Sequence, residues 1–292
     1  MTATELGTGT GALRRRRNWR RLPGSVGLHL IALLVAAFVL IPVAFGVLGG
    51  FKDTGQLSRN PFLLPSPWIP SNYTNILIDP ILWRSLLNSV LIAAGTVVLL
   101  VGTAALAAYA FARFAFRGRE FYFTLFATGL MFPFAVAILP LFIMLRTLGL
   151  LDNPLGVILP QAAFGLPVTI IILRSFFRSI PAEVEEAATL DGCGALGFFW
   201  RILLPMARPA LATVSVLAIV ASWNNFLLPL VVINDQNWWT LPIGVQQFQG
   251  QYSSDTSKVL AYVTIAMIPA LIFFAFAERH LVQGLTSGAT KG

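Results

Sequence analysis

Few residues in this chain are of a type that could do chemistry. There are three lysines, Lys52, Lys258 and Lys291, and none stands in a Gly-Lys-Ser/Thr context, so there is no Walker A loop to cradle a nucleotide phosphate. Cys193 is the single cysteine, which excludes an internal disulfide. His29 and His280 stand at opposite ends of the sequence and, with Cys193, offer no metal-ligand spacing. The apolar stretches hold no nucleophile–base pair and no His/Asp/Glu cluster, so an intramembrane enzyme is not indicated. What remains is one unusual run, 180–205, reading IPAEVEEAATLDGCGALGFFWRILLP, which contains four of the twelve acids: Glu183, Glu185, Glu186 and Asp191.

The elements that carry this run are set by composition. The 292 residues are 57% hydrophobic and 11% charged, with mean hydropathy +0.77. A soluble domain carries about 25% charged residues, so the chain belongs in lipid. Six apolar segments, roughly 26–48, 87–110, 121–145, 155–173, 209–233 and 259–277, contain no Asp, Glu, Lys or Arg. Each is long enough to cross a hydrocarbon core of about 30 Å as a helix. The first is too long for a cleavable signal core and reads as a retained span. The expectation is an all-α membrane protein of six transmembrane helices. A basic tail at 1–25 precedes the domain 26–281, and a tail at 282–292 follows it.

The net charge of +8 is orientational. With the N-terminus inside, Arg14, Arg15, Arg16, Arg17, Arg20, Arg21, Arg113, Arg117, Arg119, Arg174, Arg178, Arg201, Arg208, Arg279 and Lys291 fall on the inner side. Only Lys52, Arg59, Arg84, Arg146 and Lys258 fall outside. That asymmetry follows the positive-inside rule and places both termini in the cytoplasm. Confinement of the bases to short islands argues against a nucleic-acid partner. The charge-free spans lack the buried ionisable group that ion-coupled transporters use, although backbone carbonyls can bind sodium.

The run 180–205 then lies on the inner side. Pro181 suits the first turn of a helix, and Glu183, Glu185 and Glu186 complement its positive end. Val184, Ala187 and Ala188 share one small apolar face, and Gly192 stands where a left-handed cap ends a helix. A second segment, 194–203, follows, and Pro205 breaks the chain before the fifth span. An interfacial helix on the inner leaflet would show a similar pattern. Acidity and alanine suit anionic lipid poorly, and suit a groove in a partner protein better.

Glu186-Ala187-Ala188, then Gly192, then Ile202-Leu203-Leu204-Pro205 match the pattern EAA-x3-G-x9-I-x-L-P. The sequence thereby resembles the permease subunits of bacterial ABC importers, in particular the MalG-like carbohydrate-uptake permeases. PSPWIPSNYTNIL, LGLLDNPLGVILP, WNNFLLPLVVI and QGLTSGATKG extend the resemblance over nearly the whole chain. It implies the MetI-like permease fold in a bacterial plasma membrane. It also implies a coupling helix formed by Glu186, Ala187, Ala188 and Gly192, joined to span five through Ile202, Leu204 and Pro205. The implied partners are a second homologous permease, two copies of a cytoplasmic ABC ATPase that binds ATP and Mg, and an extracytoplasmic solute-binding protein. This chain would hold no cofactor or metal, and would serve a sugar or oligosaccharide, or else a non-sugar solute.

Polar residues within spans are candidates for a substrate path. Trp223, Asn224 and Asn225 form the densest cluster, where Trp could stack on a sugar and amides could satisfy hydroxyls; Gln161 and Asn88 are further candidates. The alternative role for all five is to bridge neighbouring helices. Pro133, Pro140 and Pro229 are expected to kink their spans.

Overall fold

A computed structural model describes the backbone of residues 22–250 and 254–289 and the side chains of 27–250 and 254–276. The basic N-terminal tail, Arg279, His280, Lys291 and the stretch 282–292 lie outside the described side chains. In order come α1 (Leu22–Gly50), α2 (Thr54–Arg59), α3 (Ser71–Ile78), α4 (Pro80–Arg113), α5 (Arg119–Thr128), α6 (Phe134–Thr147), α7 (Leu155–Ser179) and α8 (Ala182–Leu190). Then follow α9 (Ala195–Phe198), a π-helical turn Phe199–Leu203, α10 (Leu204–Met206), α11 (Arg208–Trp223), α12 (Leu227–Val232), α13 (Leu241–Gly244) and α14 (Thr256–Ala289). Among the described residues β structure is limited to one isolated bridge, Gln249–Ser254. Two compact units meet in sequence at Phe45 and Gly46. The unit ending at Phe45 contains most of α1, which is apolar on every side, as a span in lipid is.

Within 46–292, α4, α7 and α14 are each long and apolar enough to cross a bilayer, as is α1 in the N-terminal region. The third and fifth spans, expected at 121–145 and 209–233 with kinks at Pro133, Pro140 and Pro229, are broken rather than continuous. The chain bends by 100° between Arg119–Met131 and Phe134–Thr147. Pro133 is the cause: the residue before a proline is driven out of the helical region, and Phe132 is extended at φ −80°, ψ 115°. Pro140 lies inside continuous α6 and Pro229 in the first turn of α12. The fifth span is preceded by a 76° bend between Ala195–Met206 and Arg208–Trp223, and it ends at Trp223, with α12 a separate short helix.

The core forms where α4, α7 and α11 pack together. Leu100, Ala104, Ala105 and Ala108 of α4 meet Ile170, Leu173 and Phe177 of α7 and Ala210, Val214 and Ala218 of α11. Small residues let helix backbones approach where lipid provides no hydrophobic drive. Gly165 shows how close that approach is, since a Cβ there would lie 2.6 Å from Leu100 Cδ2. At the other end of α4, Ile92 packs with Val157, Leu228, Val232 and Ile243. Residues 46–79 form a scaffold of turns. There the Tyr73 hydroxyl donates to the Val47 carbonyl at 2.7 Å, and burial pushes its pKa up.

Candidate functional site

The run 180–205 folds into a helix with a defined stop. α8 begins after Pro181 and ends at Leu190. Gly192 follows in the left-handed region at φ +78°. Its N–H donates to the Thr189 carbonyl at 3.0 Å and the Cys193 N–H to the Ala188 carbonyl at 2.9 Å. This paired pattern is a Schellman motif, which satisfies carbonyls that a helix end leaves open.

The faces of α8 are divided differently from the sequence expectation. Ala188 is buried in the core and Val184 packs against it, so these two alanine-and-valine positions look inward. Ala187 is exposed with Glu183, Glu186, Thr189 and Leu190. Leu190 is 89% exposed, and beyond the cap Leu196 and Trp200 are exposed too. The outward surface is therefore acidic and small, edged by large apolar side chains. A soluble surface seldom presents such a combination without a partner.

Two residues at the end of α4, neither singled out by the sequence, fasten this element. Arg113 donates through one Nη to the carbonyls of Phe177 and Ile180, both at 2.8 Å, where α7 ends. Its other Nη lies 3.5 Å from Glu185 of α8. Tyr109 donates to the Ala195 carbonyl at 3.0 Å, and its ring lies against Phe198 and Phe199. A second ionic tie joins α5 to α7: Glu120 accepts from Arg174 at 2.5 Å and from Arg178 at 3.1 Å. Arg174 is buried, donates to the Phe111 carbonyl at 3.2 Å, and lies 3.7 Å over the Phe123 ring. The signal available in sequence was position: Arg113 and Arg174 are the first cations beyond two charge-free stretches.

The connection to α11 runs through Ile202, Leu204 and Pro205. Pro205 has no N–H and its ring displaces the carbonyl one turn back. The preceding turn widens to π geometry, with the Leu204 N–H donating to the Phe199 carbonyl. Leu203 is fully buried, whereas Ile202 and Leu204 are half-buried against the same core and Pro205 is exposed.

The five candidates for a substrate path separate into two groups. Gln161 and Asn225 line a cavity of about 380 Å³ together with Thr96, Phe134, Phe164 and Ser222. Asn88, Trp223 and Asn224 do not line it. Asn88 is buried and donates to the carbonyls of Asn237 and Trp239, both at 2.9 Å, so it holds the 235–241 segment against α4. Trp223 packs beside Ile76, Leu82 and Tyr262, and the Asn224 amide donates to the Val220 carbonyl of its own helix. Ser222, Thr96 and Phe134 were not read from sequence, because a helix break decides which side chains reach the cavity. The described residues contain no cluster of His, Cys, Asp and Glu able to hold a metal.

The described residues thus form a helical membrane domain with broken spans and a capped helix fastened to the end of α4. Residues 100–286 match the family model described as binding-protein-dependent transport system inner membrane component, and the chain belongs to that family. It is accordingly a multi-pass component of the inner membrane and an ABC importer permease. It is 38% identical over 282 residues to "Probable ABC transporter permease protein YurM" of Bacillus subtilis, covering 95% of this chain and 91% of that one. It is 36% identical to the diacetylchitobiose uptake system permease protein NgcG of Streptomyces coelicolor, over 90% of this chain and 88% of that one. A chain from the crystal structure of a bacterial ABC transporter involved in importing the acidic polysaccharide alginate superposes with a TM-score of 0.76. That chain is 27% identical, with 89% of this chain and 96% of that one covered.

Proposed function

We propose that this permease carries a sugar or oligosaccharide into the cytoplasm, driven by ATP that a separate subunit binds with Mg and hydrolyses. The similarity to the diacetylchitobiose permease, which spans nine-tenths of this chain, carries the carbohydrate assignment. The chain itself is non-catalytic. Its termini lie in the cytoplasm, consistent with the concentration of arginines in 113–119 and 174–208, the segments assigned to the inner side. It pairs with a second permease, and the pair takes two ATPase copies inside and a solute-binding protein outside.

In this reading α8 is the element that the ATPase grips. Its outward Glu183, Glu186, Ala187 and Leu190 enter a groove of that subunit, and its inward Val184 and Ala188 rest on the permease core. Arg113 and Tyr109 pass a displacement of α8 and α9 to α4, which runs unbroken from Pro80 to Arg113 with Thr96 on the cavity. A rigid element with two positions is what such coupling requires.

Isotope uptake with a panel of di- and oligosaccharides, in cells with and without the ATPase, tests the assignment. Uptake is expected to vanish with the ATPase and with Glu186→Lys, to survive an uncoupler, and to be competed by sugars. Collapse with the uncoupler would support an ion-coupled transporter instead. Competition by no sugar would overturn the carbohydrate assignment and favour another solute.

A further inference from the structure

We propose that the surface cavity formed by residues 115–121, between the end of α4 and the start of α5, seats the phosphodiester headgroup of an anionic phospholipid, with Arg117, Arg119 and Arg178 as its binding groups. This goes beyond the proposed transport function and takes from it only the inner side as the side on which these residues lie.

The charges at this place do not balance. A single carboxylate oxygen, Glu120 Oε1, collects three guanidinium groups: Arg119 through Nε at 3.1 Å, Arg174 through Nη2 at 2.5 Å and Arg178 through Nη2 at 3.1 Å. Arg117 is exposed and makes no hydrogen bond or ion pair among the described residues. Four arginines thus share one carboxylate, a surplus of three positive charges. The nearby Arg113 adds nothing to this count, because Glu185 is its counter-ion. The four arginines are not equally committed. Arg174 is buried, with the Phe111 carbonyl and the Phe123 ring as further partners. Arg178 is exposed and gives only Nη2 to Glu120, and Arg119 keeps Nη2 unengaged among the described residues. Cations gathered this closely repel one another, most strongly beside lipid where the dielectric constant is low, and a second anion relieves the repulsion.

The cavity holds about 500 Å³, opens to the surface, and is lined by Arg117, Arg119 and Glu120 together with Phe116 and Phe121. The spans set its depth. α4 ends at Arg113 and α7 at Ser179, and Arg113 ties these two ends together through the Phe177 and Ile180 carbonyls. The cavity therefore lies where two long apolar helices leave the hydrocarbon. Phe116, Phe121 and Tyr122 are exposed around it, and aromatic side chains of this kind collect at headgroup level. Phe121 and Leu125 stand four residues apart on one face of α5, and both are exposed, so an apolar strip runs from the cavity along the helix. An anionic phospholipid matches both parts. Its phosphate oxygens suit the N–H forks of arginine, and its acyl chains suit the strip. Basic pockets at the cytoplasmic ends of spans are sites at which such headgroups are held. An acidic face of a partner protein would match the arginines but not the apolar strip beside them.

The test uses the complete transporter in detergent, equilibrated with equal amounts of phosphatidylglycerol and phosphatidylcholine of identical chains, with the retained lipids counted by native mass spectrometry. The wild type is expected to retain phosphatidylglycerol in preference. Arg117→Gln alone, at an exposed residue with no partner to lose, is expected to reduce that preference about fivefold. Arg117→Gln with Arg178→Gln leaves the Arg119 and Arg174 contacts to Glu120 in place and is expected to reduce it about thirtyfold. Arg201→Gln with Arg208→Gln removes the same charge from exposed positions elsewhere on the inner side and is expected to leave the preference unchanged. Equal losses in the two pairs would mean diffuse attraction to the leaflet and overturn the site, as would an undiminished preference in the Arg117 and Arg178 pair. Displacement of the retained lipid by excess inorganic phosphate would make it a site for a free anion. Loss of ATPase co-purification in that pair with lipid preference intact would make the patch a protein-docking face. Either result overturns the lipid assignment. None of these outcomes bears on the sugar assignment, which the uptake assay decides separately.

Discussion

Replacing Gly192 probes the proposed coupling element without touching any packed side chain. Gly192 is the left-handed residue that ends α8, at φ +78°, and a Cβ built there meets no atom within 4 Å. The cost of Gly192→Ala is therefore the backbone's alone, about 1–2 kcal/mol for a left-handed non-glycine residue. Asparagine tolerates this conformation better, so Gly192→Asn lies below alanine. Gly192→Pro is of another kind. It locks φ near −65° and deletes the N–H that donates to Thr189, so the Schellman turn cannot close, at a cost of about 3 kcal/mol or more. A cost of 1–2 kcal/mol lowers the population of the capped helix relative to a frayed one by a factor of about 5–30. Transport should fall in the order Gly, Asn, Ala, Pro, ending in abolition. Insertion should be unchanged throughout, because the variants leave every span intact. The assay is the initial rate of sugar uptake normalised to membrane-inserted protein, with ATPase co-purification measured on the same membranes. If Gly192→Pro transports normally, or if alanine is as damaging as proline, a rigid capped helix is not what the transporter uses.

Two further outcomes follow from the anchors. Arg113→Met removes two charge-assisted hydrogen bonds to the Phe177 and Ile180 carbonyls, at about 1.5–3 kcal/mol each, and the partner of the half-exposed Glu185. It should lower the melting temperature of the complex and uncouple ATP hydrolysis from uptake, and Arg113→Lys should recover only part of each because lysine lacks the planar fork. Asn88→Leu leaves the Asn237 and Trp239 carbonyls without their donor and should cost about 2 kcal/mol in thermal unfolding. The KM for sugar should stay at the wild-type value in surviving protein; a large KM change would return Asn88 to the substrate path.

Much of the local structure of the run 180–205 was legible because it depends on local rules. The acids near the start of α8, the glycine at its end and the proline before α11 each act within one turn of chain, and spacing alone places them. The inward turn of Val184 and Ala188 was not legible, since a face has no direction until the body it packs on is in place. The same holds for the path residues. Asn88, Trp223 and Asn224 are polar or amphipathic in apolar stretches and look alike in sequence to Gln161 and Asn225. Only the position of the 235–241 segment and the ends of α11 and α12 separate the structural amides from those on the cavity.

By itself the sequence determined that the chain lives in lipid, roughly where it crosses, and where a capped acidic helix interrupts the crossings. Those properties are sums over local composition or interactions within a turn of backbone. The tertiary structure decided the rest: the 100° bend that Pro133 permits, the seat of Arg113 between α7 and α8, and the meeting of Gln161 with Ser222 around one cavity. Each joins residues far apart in the chain, and their proximity is set by helix packing, which close contact between small residues on α4, α7 and α11 makes possible.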